Sequence, residues 1–248
     1  MNRRCFPLLS ARFAATAGAL CSLLLSACGS SSEPSAVERG RQLFESKALS
    51  QSRLNDYTCA SCHDLVASTP PSKKAGGALA GVTLRSTFWN DQEADLLSSI
   101  NACRNFFMSD NQPLSATDDR ARSLYAYLQS LEPGDAAPIP FTVVTTIDPL
   151  PRGDATHGEL LFAQTCLYCH GTTHDGAGRL SERMPILPED TLVAHAQYTP
   201  RIQRLVFTEK IRHGLFLGYG GVMPPFSKEL LSDADVSDLL EFLGVLGE

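Results

Sequence analysis

The apolar positions of the chain fall into two similar sets. Leucines at 124, 128 and 131, and again at 239, 243 and 246, follow the i, i+4, i+7 spacing of one apolar helical face. Each triplet predicts an amphipathic helix, and Thr117 and Ser232 stand in register where the N-caps of these helices are expected. Upstream of each, Gly40-Arg41-Gln42-Leu43-Phe44 and Gly158-Glu159-Leu160-Leu161-Phe162 predict a second pair of helices. Their glycines would let another helix approach closely, and Tyr127 and Phe242 are the matching aromatics on the helices that would cross there. Ser35-Ala36-Val37-Glu38 has the spacing of a capping box at the first helix start. Between the two sets, Pro133, Pro138, Pro140, Pro149 and Pro151 predict an extended, semi-rigid linker. Within it, Phe141 to Ile147 is a short apolar run suited to pack as a strap, and no other segment suggests a sheet. Ahead of everything, Arg3, Arg4 and Arg12 accompany an apolar run from Phe13 to Leu25. That run is too short for a permanent membrane span and reads as an export signal.

Each set also carries one copy of a chemical motif. Cys59-Ala60-Ser61-Cys62-His63 and Cys166-Leu167-Tyr168-Cys169-His170 share the Cys-x-x-Cys-His pattern. Its two thiols can add across the vinyl groups of a haem, and the adjacent histidine is then held where it can ligate the iron. A redox dithiol would need a βαβ context, and a four-cysteine zinc site would not need a histidine after each pair. Two covalently bound haem c groups are therefore expected, with His63 and His170 as proximal ligands. A chain of 248 residues has room for two such units, and a haem at the centre of each would supply much of an otherwise marginal core.

Further resemblances extend this reading. The Gly-x-x-Leu-Phe helix leading into Cys-x-x-Cys-His resembles the N-terminal helix of the class I cytochrome c fold. Gly220-Gly221-Val222-Met223-Pro224-Pro225-Phe226 resembles the sixth-ligand loop of the same family, which makes Met223 the expected ligand of the second haem. Met108 to Leu131 spans the same interval as Met223 to Leu246, so Met108 is the default sixth ligand of the first haem. Cys103 is its rival. It has no obvious partner once the other cysteines are assigned, and Ile100 to Leu114 resembles the region of thiosulfate dehydrogenase-type cytochromes that gives a cysteine to the catalytic haem. That alternative also needs an anion pocket, for which Arg104 is the candidate. Finally, Leu25-Ser26-Ala27-Cys28 resembles a bacterial lipobox, which implies lipidation at Cys28, and Gly29 after the cysteine resembles lipoproteins sent to the outer membrane.

The expected organisation is mostly α: a lipoprotein signal peptide over 1–27, a tether over 28–34, one class I cytochrome c domain over 35–132, a proline-rich linker over 133–153 and a second such domain over 154–248. Tyr198, Arg201 and Arg204 are candidate donors to the second haem's propionates. Met184, His157, His174, His195 and His213 are weaker candidates, each read as structural, pocket-lining or exposed. Three of the 21 basic residues and none of the 27 acidic ones precede Cys28, so cleavage there leaves a net charge of −9. Nucleic acid is thereby disfavoured and a basic redox protein favoured as partner. The functional expectation is a periplasm-facing, lipid-anchored electron carrier. The alternatives are a thiosulfate dehydrogenase-like oxidoreductase using Cys103 and a haem-carrying docking subunit of a respiratory complex.

Overall fold

A computed structural model describes residues 33–69, 73–131, 133–142, 144–214 and 222–247. The export signal, Cys28, the start of the tether and the Gly220-Gly221 pair lie outside the described residues. The architecture is mostly helical. In chain order the α-helices are α1 (Ala36–Glu45), α2 (Cys59–Cys62), α3 (Leu96–Phe106), α4 (Asp119–Gln129), α5 (Ala155–Thr165), α6 (Leu167–His170), α7 (Glu189–Ala194), α8 (Pro200–His213) and α9 (Asp233–Phe242). One short sheet lies where the sequence suggested none: β1 (His63–Asp64) pairs in parallel with β2 (Gly77–Ala78), His63 opposite Gly77.

Two helix crossings of the same construction organise the chain. In the first, α1 lies against α4 so closely that a Cβ on Gly40 would sit 2.0 Å from the Ser123 carbonyl oxygen and 2.6 Å from Tyr127 Cβ. In the second, α5 lies against α9, and a Cβ on Gly158 would sit 2.0 Å from the Asp238 carbonyl oxygen and 2.8 Å from Phe242 Cβ. Phe44 meets Tyr127 with ring centroids 5.6 Å apart, and Phe162 meets Phe242 at 5.5 Å. The expected close approach at both glycines is thus present. One helix face with no side chain lets two backbones meet, and an aromatic pair fills the space beside the contact.

The caps differ in detail from the sequence expectation. Ser232 caps α9 in a full capping box with Asp235. On α4 the cap is Asp118, one residue beyond Thr117. Ser35 accepts the Glu38 amide, but the Glu38 carboxylate accepts from Arg41 and Gln42 rather than reaching back to the cap. The helix α8 was not anticipated, although Thr199-Pro200 is a cap followed by proline at the first turn.

The fourteen residues between Phe44 and Cys59, an insertion relative to the second set, fold as a tight 3₁₀ turn (Lys47–Leu49) and a bend whose Leu49 and Tyr57 are fully buried. The proline-rich linker is irregular where described and contacts residues of both halves of the chain. Phe141 packs edge-on against Trp89, whereas Thr142 bonds to Glu229 and the Val144 carbonyl accepts from His213. Trp89 itself stacks on Phe107 and donates to Ser99.

Candidate haem sites

Two cavities open beside the two crossings. The first encloses about 1280 Å³ of space free of protein atoms, part of it open to solvent, and is lined by Cys59, Cys62 and His63 together with Met108 and Cys103. The second encloses about 2060 Å³ in the same sense, and is lined by Cys166, Cys169, His170 and Met223. Each therefore gathers one complete motif and the methionine expected to face it. The first brings in the rival cysteine as well.

Local structure fixes these side chains. Thr58 and Ser61 cap α2 reciprocally, so one helical turn presents Cys59 and Cys62 on the same side. The next residue, His63, is pinned in β1, where its Nδ1 lies 3.2 Å from the carbonyl oxygen of Gly77. The backbone of Gly76 presses on the ring: a Cβ there would come within 2.4 Å of His63 Cε1. At the second site α5 ends at Cys166, α6 carries Cys169 and His170 through one further turn, and His170 Nδ1 lies 3.0 Å from the Pro185 carbonyl oxygen. A carbonyl acceptor at Nδ1 fixes the tautomer that leaves the Nε2 lone pair for a metal. Burial pulls the pKa of both histidines down, which keeps them neutral as a metal ligand must be.

Burial acts on the thiols in the opposite direction. Cys59 and Cys62 are pushed up to about 12 and Cys166 and Cys169 to about 11. None of the four is in a disulfide. Cys103 is raised further by burial, and only a cation in the cavity could hold it there as thiolate. The donor set fits a haem: paired thiols, one neutral imidazole with an oriented lone pair, an apolar wall and a thioether.

Two buried arginines hold the methionine loops, and sequence reasoning missed this parallel. Arg104 donates to the carbonyls of Leu49 and Gln112, to Asn101 Oδ1 and, at 2.6 Å, to Asp110. Arg104 lines the first cavity as the Cys103 alternative called for, but its guanidinium is enclosed and its donors are engaged by these partners. Arg212 likewise donates to the carbonyls of Phe226, Ser227 and Leu231 and to Asp233. Each guanidinium replaces the regular hydrogen bonding that the loop between methionine and final helix lacks.

The donors expected for the second haem's propionates lie elsewhere. Arg204 is buried against the carbonyls of Val245 and Pro151, Tyr198 stacks on His195, and neither these nor Arg201 line the cavity. The cations that do are Lys74, Arg183 and Lys210 at the second cavity and Arg85 and Arg104 at the first. His157 pairs with Asp238, His174 with Glu189 and His213 with Glu209, all outside the cavities. Met184 does line the second cavity. Tyr57, Cys62, Ala75 and Pro224 line both cavities, so the two sites share a wall.

The helical pair α5 and α9, with the motif cysteines, an oriented histidine and a methionine around one cavity, defines a c-type cytochrome domain. Residues 153–243 match the family model described as cytochrome C oxidase, cbb3-type, subunit III. The match supports reading this part of the chain as a c-type cytochrome domain, which implies covalently bound haem c and suggests electron transfer. A search of curated proteins gave no match for the chain. Among the described residues, no helix is long and apolar enough to cross a membrane.

Proposed function

We propose that the protein is a dihaem c-type cytochrome, built of two tandem class I domains, that passes single electrons between redox partners on the periplasmic side of a bacterial membrane to which Cys28 anchors it. The observation that carries this reading is the repetition: two motif-lined cavities, each with its own methionine, meet at a common wall. Haem supplies the one-electron chemistry. The chain's residues hold and tune it. Cys59, Cys62, Cys166 and Cys169 would form the thioether links, and His63 with Met108 and His170 with Met223 would ligate the two irons. A thioether ligand favours a high potential, and the apolar lining keeps water from the metal. Held by both a histidine and a methionine, neither iron would leave a position for a substrate, which is the condition of a carrier. The acidic balance of the chain suits a basic redox partner, and the family description of residues 153–243 supports a partner in a respiratory complex, where the protein could also serve as a docked subunit.

A second reading rests on Cys103, which lines the first cavity beside Met108. As thiolate ligand it would lower the first site's potential and place a sulfur nucleophile at the metal, in the manner of thiosulfate dehydrogenase-type cytochromes. Low-temperature electron paramagnetic resonance of the fully oxidised protein separates the two. Two low-spin signals of His/Met character support the carrier. A thiolate-type signal that vanishes in Cys103→Ala replaces it with the second reading and makes thiosulfate oxidation the next assay.

A further inference from the structure

The insertion before Cys59 reaches across to the second site. Asn55 sets its conformation: its Oδ1 accepts from the Tyr57 amide and its Nδ2 donates to the Tyr57 carbonyl, both at 2.9 Å. Two side chains so presented grip the segment that follows the second motif. Asp56 Oδ2 receives Arg183 Nε at 3.0 Å and a terminal guanidinium nitrogen at 2.6 Å. The Tyr57 hydroxyl, wholly buried, points at Met184 Sδ 3.8 Å away, a weak hydrogen bond of the kind sulfur accepts. The next residue is Pro185, whose carbonyl oxygen receives His170 Nδ1. Three consecutive residues, Arg183, Met184 and Pro185, are thus held by the first half of the chain at two points and hold the proximal histidine of the second half at a third.

We infer that Asp56 and Tyr57 are positioning residues for the second haem site, setting through Arg183-Met184-Pro185 the hydrogen bond that orients His170. The inference rests on the reading of His170 as proximal ligand. A hydrogen bond at Nδ1 makes a ligating imidazole more basic, which stabilises the ferric state. A Pro185 carbonyl that wanders weakens this bond, and the potential of that site then rises. The first site's histidine has its own acceptor, the Gly77 carbonyl, and although Tyr57 also lines that cavity, Arg183, Met184 and Pro185 do not. The geometry makes the potential of one haem depend on residues that belong to the half of the chain carrying the other.

The test uses the full holoprotein. A potentiometric titration followed by paramagnetic resonance resolves the two sites, and the second site's signal is the one lost in protein carrying Cys166→Ala and Cys169→Ala. Arg183→Ala raises the potential of that site alone, Arg183→Lys restores most of the shift, and Tyr57→Phe, which deletes one hydroxyl without altering the fold, shifts it in the same direction. Unchanged potentials in Arg183→Ala and Tyr57→Phe, or equal movement of both sites, overturn the inference. Failure of the underlying reading shows separately, as a wild-type protein with no haem attached at Cys166 and Cys169.

Discussion

Replacing Gly158 by alanine sets two effects against each other. Alanine favours a helix interior over glycine by about 1 kcal/mol, so at an open position the variant would be the more stable protein. At Gly158 the added methyl would lie 2.0 Å from the Asp238 carbonyl oxygen, where ordinary contact begins near 3.4 Å. The obstacle is backbone, not the end of a flexible side chain, so α5 and α9 must separate by more than an ångström. Overpacking of this kind costs about 1–3 kcal/mol, and a collision with backbone belongs near the upper end. Subtracting the propensity gain leaves a loss of about 2 kcal/mol, which for a chain of this size lowers the melting temperature by about 4–8 °C. Thermal unfolding of the holoprotein followed by circular dichroism reads this directly. Gly40→Ala, with the same 2.0 Å approach to Ser123, predicts a fall of similar size. A melting temperature unchanged or raised in either variant would refute the close crossing and show that propensity alone decides.

Three further outcomes follow from the same geometry. Asp110→Ala leaves the enclosed Arg104 guanidinium without its counter-ion, and loss of one partner of a buried pair costs about 3–5 kcal/mol, so denaturant unfolding should show a large drop in stability with Met108 displaced. Burial raises the Glu229 carboxyl, but hydrogen bonds from Thr142 outweigh it and bring the group down to about 2. Because the folded value lies below the ordinary 4.5, this contact contributes its stability above pH 4.5 and loses it as pH falls from 4.5 towards 2. Protection of the Thr142 amide, its exchange rate taken relative to the intrinsic rate at each pH, should fall across that interval in the wild type and stay constant in Glu229→Gln. Met223→Ala should leave the haem content intact and convert the second site's ferric spectrum from low to high spin. A spectrum that stays low-spin of His/Met character assigns the ligand elsewhere, with Met184 at the same cavity as the first place to look.

What the sequence revealed and what it hid divide along a physical line. Periodicity exposed α4 and α9, and glycines with matched aromatics exposed both crossings, because these features repeat at fixed spacing and depend on neighbours along one helix. The cavities' chemical residues were legible for a related reason: Cys-x-x-Cys-His places its three groups within five consecutive residues. Arg104 and Arg212 were not legible as loop clamps. An arginine inside an amphipathic stretch looks like a surface charge until the carbonyls it satisfies are brought to it by the fold. Tyr57 and Asp56 were hidden in the insertion for the same reason, since their partners Met184 and Arg183 stand 127 positions away. The assignment of Tyr198, Arg201 and Arg204 to the propionates failed because α8 directs Arg204 to the chain end and to Pro151 instead. The short β1–β2 pairing carried no hydrophobic alternation at all. It exists to place Gly76 and Gly77 around the His63 ring.

The central claim, two covalent haems on one chain, is tested most directly by intact-mass spectrometry of the protein purified from a host that matures c-type cytochromes. The account predicts a mature chain heavier by two haems. It also predicts that the pair Cys59→Ala and Cys62→Ala removes one haem and that the pair Cys166→Ala and Cys169→Ala removes the other. A wild-type mass corresponding to a single haem, retained when Cys59 and Cys62 are replaced, would contradict it.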